Sequence, residues 1–362
     1  MDGTIFDTAS IDRKFSRWED KKHDLTPVQR HGDMHFKRDD YFAPLGPGGI
    51  NGAKLRQLIH IVQQYQERGG KGGLLTGASV ISPQLAMGAA VAKHFGMKAE
   101  LVIGATNPSS SIRRPMVELA AWFGAEFRFI PVAYNPALQR ECVRLYDAQR
   151  AGWFYLEYGI TKCPSRNPAE DVYSFHKLGA EQTANIPDDI EDLVIPAGSC
   201  NSCTSILHGL VRHQPRSLKR IHLIGIGPTK IKMVNERLRL LEHESGLDHK
   251  IFNPCFEDPT ALEGMKMLRP LGVARYDLHY TDLHGTGRVA YHERLSEQYQ
   301  GIQFHPNYEA KVWWHLRTRA AKLIRPTTLF WIIGSEPSRR AMETYLHKRF
   351  GQPPTQAPQV AI

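Results

Sequence analysis

The chain predicts an α/β protein folded as two doubly wound lobes, and three observations lead there. Short apolar runs alternate with stretches of helical period, the arrangement that gives parallel strands joined by helices. A length of 362 residues exceeds one minimal domain and suffices for two lobes with a cleft between them. The composition, 41% hydrophobic and 23% charged, is that of an ordinary globular protein and excludes disordered, collagen-like and coiled-coil classes.

In chain order, Gly73 to Thr76 reads as a short buried strand, and Ser82 to Phe95 as an Ala-rich helix stopped at Gly96. A strand at Ala99 to Ile103, a helix from Ser111 to Phe123 and a strand at Glu126 to Val132 complete a first set. The second set is a helix at Ser174 to Ala184, a strand at Leu193 to Pro196, a helix at Ser202 to Val211, a strand at Arg220 to Ile226 and a helix at Lys230 to His243. Residues 1–60 and 185–345 are assigned to a larger lobe, 61–184 to a smaller one, and 346–362 to a mobile Pro- and Gln-rich tail.

Met1 to Asp24 is polar, without the apolar core of a signal peptide, and no stretch approaches the roughly 18 apolar residues of a membrane span. Cys142, Cys163, Cys200, Cys203 and Cys255 are odd in number and scattered, which predicts a reducing cytoplasm rather than a disulfide framework. Forty-six Lys and Arg against 37 Asp and Glu give a net charge of +9. The excess gathers in clusters: Arg113 with Arg114; Arg212, Arg216, Lys219 and Arg220; Arg317, Arg319, Lys322 and Arg325. Such clusters either line a path for nucleic-acid phosphates or form a solvated surface, and no zinc-finger, helix-turn-helix or RNA-recognition signature accompanies them.

Three segments carry chemistry. In the first, Phe36-Lys37-Arg38-Asp39-Asp40 precedes Gly48-Gly49-Ile50-Asn51-Gly52-Ala53-Lys54, where a lysine follows a glycine-rich turn at the start of an amphipathic helix. Held in a cleft and desolvated, such an amine loses basicity and becomes available for imine formation; the ordinary alternative is a surface lysine. In the second, the strand Leu193 to Pro196 leads through Gly198, Ser199, Cys200, Asn201 and Ser202 into a helix, an anion cup built from unpaired N–H groups, or else a plain turn capped by Ser202. Cys200 and Cys203 form a lone CxxC; without a second pair no metal site is expected, and a redox pair stays open. Gly225 to Lys230 lacks the spacing of a P-loop. In the third, Tyr308 and Glu309 adjoin in a turn before a helix, offering a proton-transfer group and a partner for a ring nitrogen.

In order and spacing, KRDD, AKLRQL, the GS turn and GIQFHPNYEAK resemble the fold-type II pyridoxal 5'-phosphate (PLP) enzymes related to tryptophan synthase β, in particular aminocyclopropane-carboxylate (ACC) deaminase and D-cysteine desulfhydrase. The resemblance spans roughly Phe36 to Arg340 and implies two doubly wound lobes with PLP in the cleft and a homodimer. It further implies that Lys54 is the Schiff-base lysine, that Gly198 through Ser202 hold the phosphate, that Tyr308 lies beside the substrate and that Glu309 bonds the pyridine nitrogen. The family's S-N-[HQ] turn stands here as Ser82-Pro83-Gln84, keeping the serine that assists at the substrate and losing the asparagine. Its GGNK is Asn51-Gly52-Ala53-Lys54, the Asp of its DP pair is His305, and the Tyr of its YG turn is His284. The cofactor site is kept while the substrate shell is rewritten.

A basic chain with these departures resembles the PLP enzymes encoded beside thymine-hypermodification genes in tailed phages. That implies decarboxylation of an amino acid attached to thymine in DNA, within the host cytoplasm. Two readings compete: a small-molecule deaminase or desulfhydrase, and a PLP-fold binding protein without activity.

Overall fold

A computed structural model describes residues 21–44, 50–132, 134–159, 172–256, 265, 273–337 and 360–361. Its elements begin with β1 (Val28–His31), β2 (Met34–Arg38), α1 (Ala53–Glu67), β3 (Leu74–Ser79), α2 (Pro83–His94), β4 (Ala99–Gly104), α3 (Pro115–Trp122), β5 (Glu126–Ile130), α4 (Asn135–Gln149) and β6 (Phe154–Leu156). There follow α5 (Val172–Glu181), β7 (Asp192–Ala197), α6 (Asn201–Arg212), β8 (Arg220–Gly225), α7 (Ile231–Ser245), β9 (Phe252–Phe256) and β10 (Tyr276–Asp282). The last are β11 (Gln298–Tyr299), β12 (Ile302–Gln303), α8 (Glu309–Arg319), β13 (Thr328–Ile332) and β14 (Val360–Ala361).

Two main sheets result. A seven-stranded sheet has the order β1-β2-β13-β7-β8-β10-β9, parallel throughout except for the edge pair β1 and β2. A five-stranded parallel sheet has the order β14-β5-β4-β3-β6. Strands β7 (DLVIPA) and β13 (TLFWI) are buried along their whole length, as strands covered on both faces must be. Ala197 lies opposite Gly225, which lies opposite Asp282, so β7, β8 and β10 end level with one another. In doubly wound sheets that carboxyl edge is where ligands bind.

Several boundaries differ from the sequence expectation. The helix expected over Ser111 to Phe123 is broken, because Pro115 disfavours the α conformation at Arg114, which is extended (φ −74, ψ 137). The strand from Glu126 ends at Ile130, where Pro131 supplies no N–H to continue the ladder. Helix α6 starts at Asn201 behind a left-handed Cys200 (φ 62), so Ser202 is not its cap. Of the expected tail only β14 is described, paired with β5; the rest of it, the N-terminal residues 1–20, Gly48, Gly49 and Cys163 lie outside the described residues. No helix among the described residues is long and apolar enough to cross a membrane.

The KRDD segment is structural. Arg56, two residues after Lys54, is fully buried, 3.6 Å from Asp39 and stacked 4.2 Å over Phe42. Asp39 also accepts the Thr26 hydroxyl at 2.6 Å and the Trp331 indole N–H at 2.8 Å. Lys37 donates to Thr26 O and Asn185 Oδ1, and Arg38 holds Asp40 through two bonds. One buried carboxylate therefore ties α1 to β2 and β13, a geometry that a cation buried without its partner would not survive.

Candidate active site

The start of α1 is set by a close approach that only glycine allows. Gly52 has φ +101, and a Cβ there would lie 2.4 Å from Ile333 O. Ala53 N donates to that carbonyl at 2.9 Å, while Asn51 exchanges bonds with Ser335, Nδ2 to Oγ at 3.0 Å and Oδ1 from N at 2.8 Å. Lys54 is thereby presented at the carboxyl end of β13, in a pocket it shares with the loop after β7 and the start of α8. Desolvation there lowers the pKa of its amine, opposed by the charges of Glu309, Cys200 and Cys203.

Gly198, Ser199, Cys200 and Ser202 line the same pocket at the amino end of α6. A Cβ at Gly198 would meet Ile226 and Tyr308 only at 3.6–4.0 Å, so the glycine relieves no clash and leaves space on the pocket floor. The Ser202 hydroxyl is buried there with no hydrogen-bond partner among the described residues. Cys200 and Cys203 are free thiols that donate to Gly198 O and Pro196 O; the Cys200 side chain and burial push the Cys203 thiol well above its ordinary value.

Glu309, the first residue of α8, is 1% exposed. Its Oε1 accepts from Ile333 N at 3.0 Å and Gly334 N at 3.4 Å, and its Oε2 has no partner among the described residues. Burial raises its pKa to about 8 against those two bonds. Beside it, burial pushes the Tyr308 phenol above its ordinary value, keeping it protonated at neutral pH.

The structure brings Lys54, Gly198, Ser199, Cys200, Ser202, Tyr308 and Glu309 onto one pocket, and leaves two expected residues off its wall. Ser82 caps α2, accepting from Gln84 N at 3.4 Å, while its neighbours Pro83 and Met87 line the pocket. Asn201 is fully buried and bridges Gly159 O to the Arg237 guanidinium. Gln84 closes this arch from the other sheet, donating to Thr76 Oγ1 and Glu157 O and accepting from Gly159 N.

Sequence reasoning named His305 only as a departure from the DP pair and missed Tyr158 and Tyr291. His305 lines the pocket and accepts from Asn307 N through Nδ1, so its neutral ring carries the proton on Nε2, which has no partner among the described residues; burial holds its pKa at about 3. Tyr291 interacts with Tyr308 on one side and lies 3.1 Å from Tyr158 on the other, hydroxyl to hydroxyl. Tyr158 and Tyr291 stand 133 positions apart with no local motif around either, so only the fold reveals the row.

A protein of Salmonella phage ViI, the O-seryl-dTMP PLP-dependent decarboxylase, is 40% identical over 368 aligned positions, covering 92% of this chain and 87% of its own. The chain belongs to this decarboxylase family. No protein-family model matches it. Among solved structures, an ACC deaminase homologue superposes with a TM-score of 0.60 at 18% identity, covering 89% of this chain and 93% of that one. Maize serine racemase does so at 0.54 and 14%, covering 95% and 99%. These likenesses establish the fold-type II architecture.

The residues present fit the cofactor of the decarboxylase family. An amine of lowered basicity, a helix start with a buried unpartnered hydroxyl, and an unpartnered carboxylate oxygen are the three partners that an aldehyde, a phosphate and a ring N–H require.

Proposed function

We propose that this chain is a PLP-dependent lyase that decarboxylates an amino acid carried on a modified thymine in phage DNA. The observation that carries the reading is the near full-length similarity to the phage decarboxylase, together with a pocket that supplies all three cofactor partners. Bound PLP supplies the electron sink for the bond that loses CO2. Lys54 would carry the cofactor, Gly198, Ser199, Cys200 and Ser202 would hold its phosphate while Asn201 only supports that turn, and Glu309 Oε2 would accept the ring N–H. That contact favours the ionised carboxylate and offsets the burial that otherwise keeps Glu309 protonated.

The overall change takes up one proton: the bond from Cα to the carboxylate breaks, CO2 leaves, and Cα gains hydrogen. Tyr308 is the donor in place, protonated and on the pocket wall, and the row through Tyr291 to Tyr158 can restore its proton. Ser82 acts by fixing the turn that carries Pro83 and Met87. The native enzyme is a homodimer in the host cytoplasm in this reading.

The discriminating assay offers the holoenzyme a seryl-thymine oligonucleotide, D-cysteine and ACC in parallel. Release of CO2 from the first alone supports the reading, turnover of the free amino acids alone supports a deaminase or desulfhydrase, and absence of any turnover by PLP-loaded protein supports a binding protein.

A further inference from the structure

Four of the eight clustered basic residues of the large sheet are spent on ion pairs. Arg220 and Arg325 both bind the buried Asp192, Lys219 binds Glu191, and Arg317 binds Glu297. Asp192 and Arg220 are the first residues of β7 and β8, at the end of the sheet opposite Gly198. A polyanionic substrate needs cations that are not already paired.

The five-stranded sheet supplies them. Between α4 and the end of β6 lies an open surface groove, lined by Gln139, Arg140, Arg144, Tyr155, Glu157 and Tyr158. The groove and the pocket around Lys54 share a wall: Tyr158 lines the groove and is the outer member of the tyrosine row that ends at Tyr308. Gln139 fixes that wall, accepting from Tyr155 OH at 2.6 Å and Tyr158 N at 3.0 Å while donating to Gly77 O.

The two arginines are not equivalent. Arg144 is committed to Glu141 by two bonds of 2.7 and 2.8 Å. Arg140 is exposed and forms no ion pair or hydrogen bond among the described residues. The same carboxyl edge of the five-stranded sheet is basic and apolar together. Arg113 and Arg114 are exposed beyond the end of β4, and Val132 (43%) and Tyr134 (67%) beyond the end of its neighbour β5. Cations for phosphate on the same edge as one exposed aromatic ring, Tyr134, are groups that a single-strand nucleic-acid surface uses.

We propose that this groove is the nucleotide subsite, with a phosphate of the thymine-bearing strand on Arg140 and the base against Tyr158, so that the amino acid reaches past Tyr158 to Lys54. The inference rests on the reading of the substrate given above.

Binding tests it without turnover. The probes are dTMP and a short thymidine-containing single strand, titrated into the PLP-loaded protein and into Arg140→Ala and Arg140→Lys variants. Arg140→Ala should weaken binding roughly tenfold or more, the scale of a lost charge-assisted hydrogen bond, and lower the salt slope for the strand by about 0.7. Arg140→Lys should restore much of both. Loss with dTMP places the nucleotide's own phosphate on Arg140, and loss with the strand alone places a neighbouring one there; both support the proposal. Unchanged affinity and slope for both probes, or no binding by the parent protein, overturns it. Decarboxylation of a seryl-thymine oligonucleotide by the parent protein is scored separately, so the subsite can fail while the reaction stands.

Discussion

Replacing Glu309 by glutamine changes one atom and should separate catalysis from folding. The glutamine oxygen can keep both bonds from Ile333 N and Gly334 N, so packing at this 1% exposed site is retained. What changes is the group where Oε2 stood: an acceptor with no partner among the described residues becomes an N–H2 donor facing the ring N–H it should accept. Loss of one preorganised electrostatic contact costs about 3–4 kcal/mol, so kcat should fall by about 10²- to 10³-fold while cofactor affinity changes far less. The cofactor-free protein gives a second readout. Glu309 titrates near 8 when folded and near 4.5 as a free side chain, so between those values the folded state holds a proton that the unfolded one lacks. Its contribution is full below pH 4.5 and is lost as pH rises through about 8, with a slope approaching about 1.4 kcal/mol per pH unit. Urea unfolding of the apoprotein across that window should show the decline in the parent and its absence in Glu309→Gln. A near-parental kcat, or identical pH profiles, would refute the assignment of Glu309.

Lys54→Ala should fold normally yet take no pyridoxyl label on borohydride reduction; a label mapped to another lysine in the parent protein excludes Lys54 as the carrier. Asp39→Ala should cost about 3–5 kcal/mol of stability in denaturant unfolding, because it strands the fully buried Arg56, and a loss under about 1 kcal/mol would show the network to be dispensable. His208 and His249, buried and 2.9 Å apart, both titrate near 4 when folded against 6.5 when free. The unfolded chain therefore binds more protons between those values, and stability should be lost as pH falls from about 6.5 to about 4; His208→Gln should flatten that limb, and an unchanged limb would exclude the pair.

The parts of the fold legible in the sequence were those with contiguous signals. The all-apolar run Leu193 to Ile195 followed by Gly198 and Ser199 marks a buried strand turning into a helix, and the pocket forms there. Ser82 and Pro83 mark the α2 start by cap chemistry alone. Helix α4 escaped notice because its buried stripe is only Leu138, Cys142 and Leu145 in a polar, Arg-rich stretch, although that spacing is helical and Pro136 signals the start. Strand β13 was readable too, as TLFWI between Pro326 and Gly334. The pairing of Tyr158 with Tyr291, the tautomer of His305 and the free state of Arg140 depend on contacts between distant segments, which no window of sequence contains.

The most direct test of the reaction is mass spectrometry of nucleosides from DNA carrying O-seryl thymine, digested after incubation with the PLP-loaded enzyme. The account predicts complete conversion to an aminoalkyl base lighter by CO2, abolished in Lys54→Ala. Loss of ammonia with the carboxyl group retained, or unchanged DNA beside rapid turnover of free D-cysteine, would contradict it.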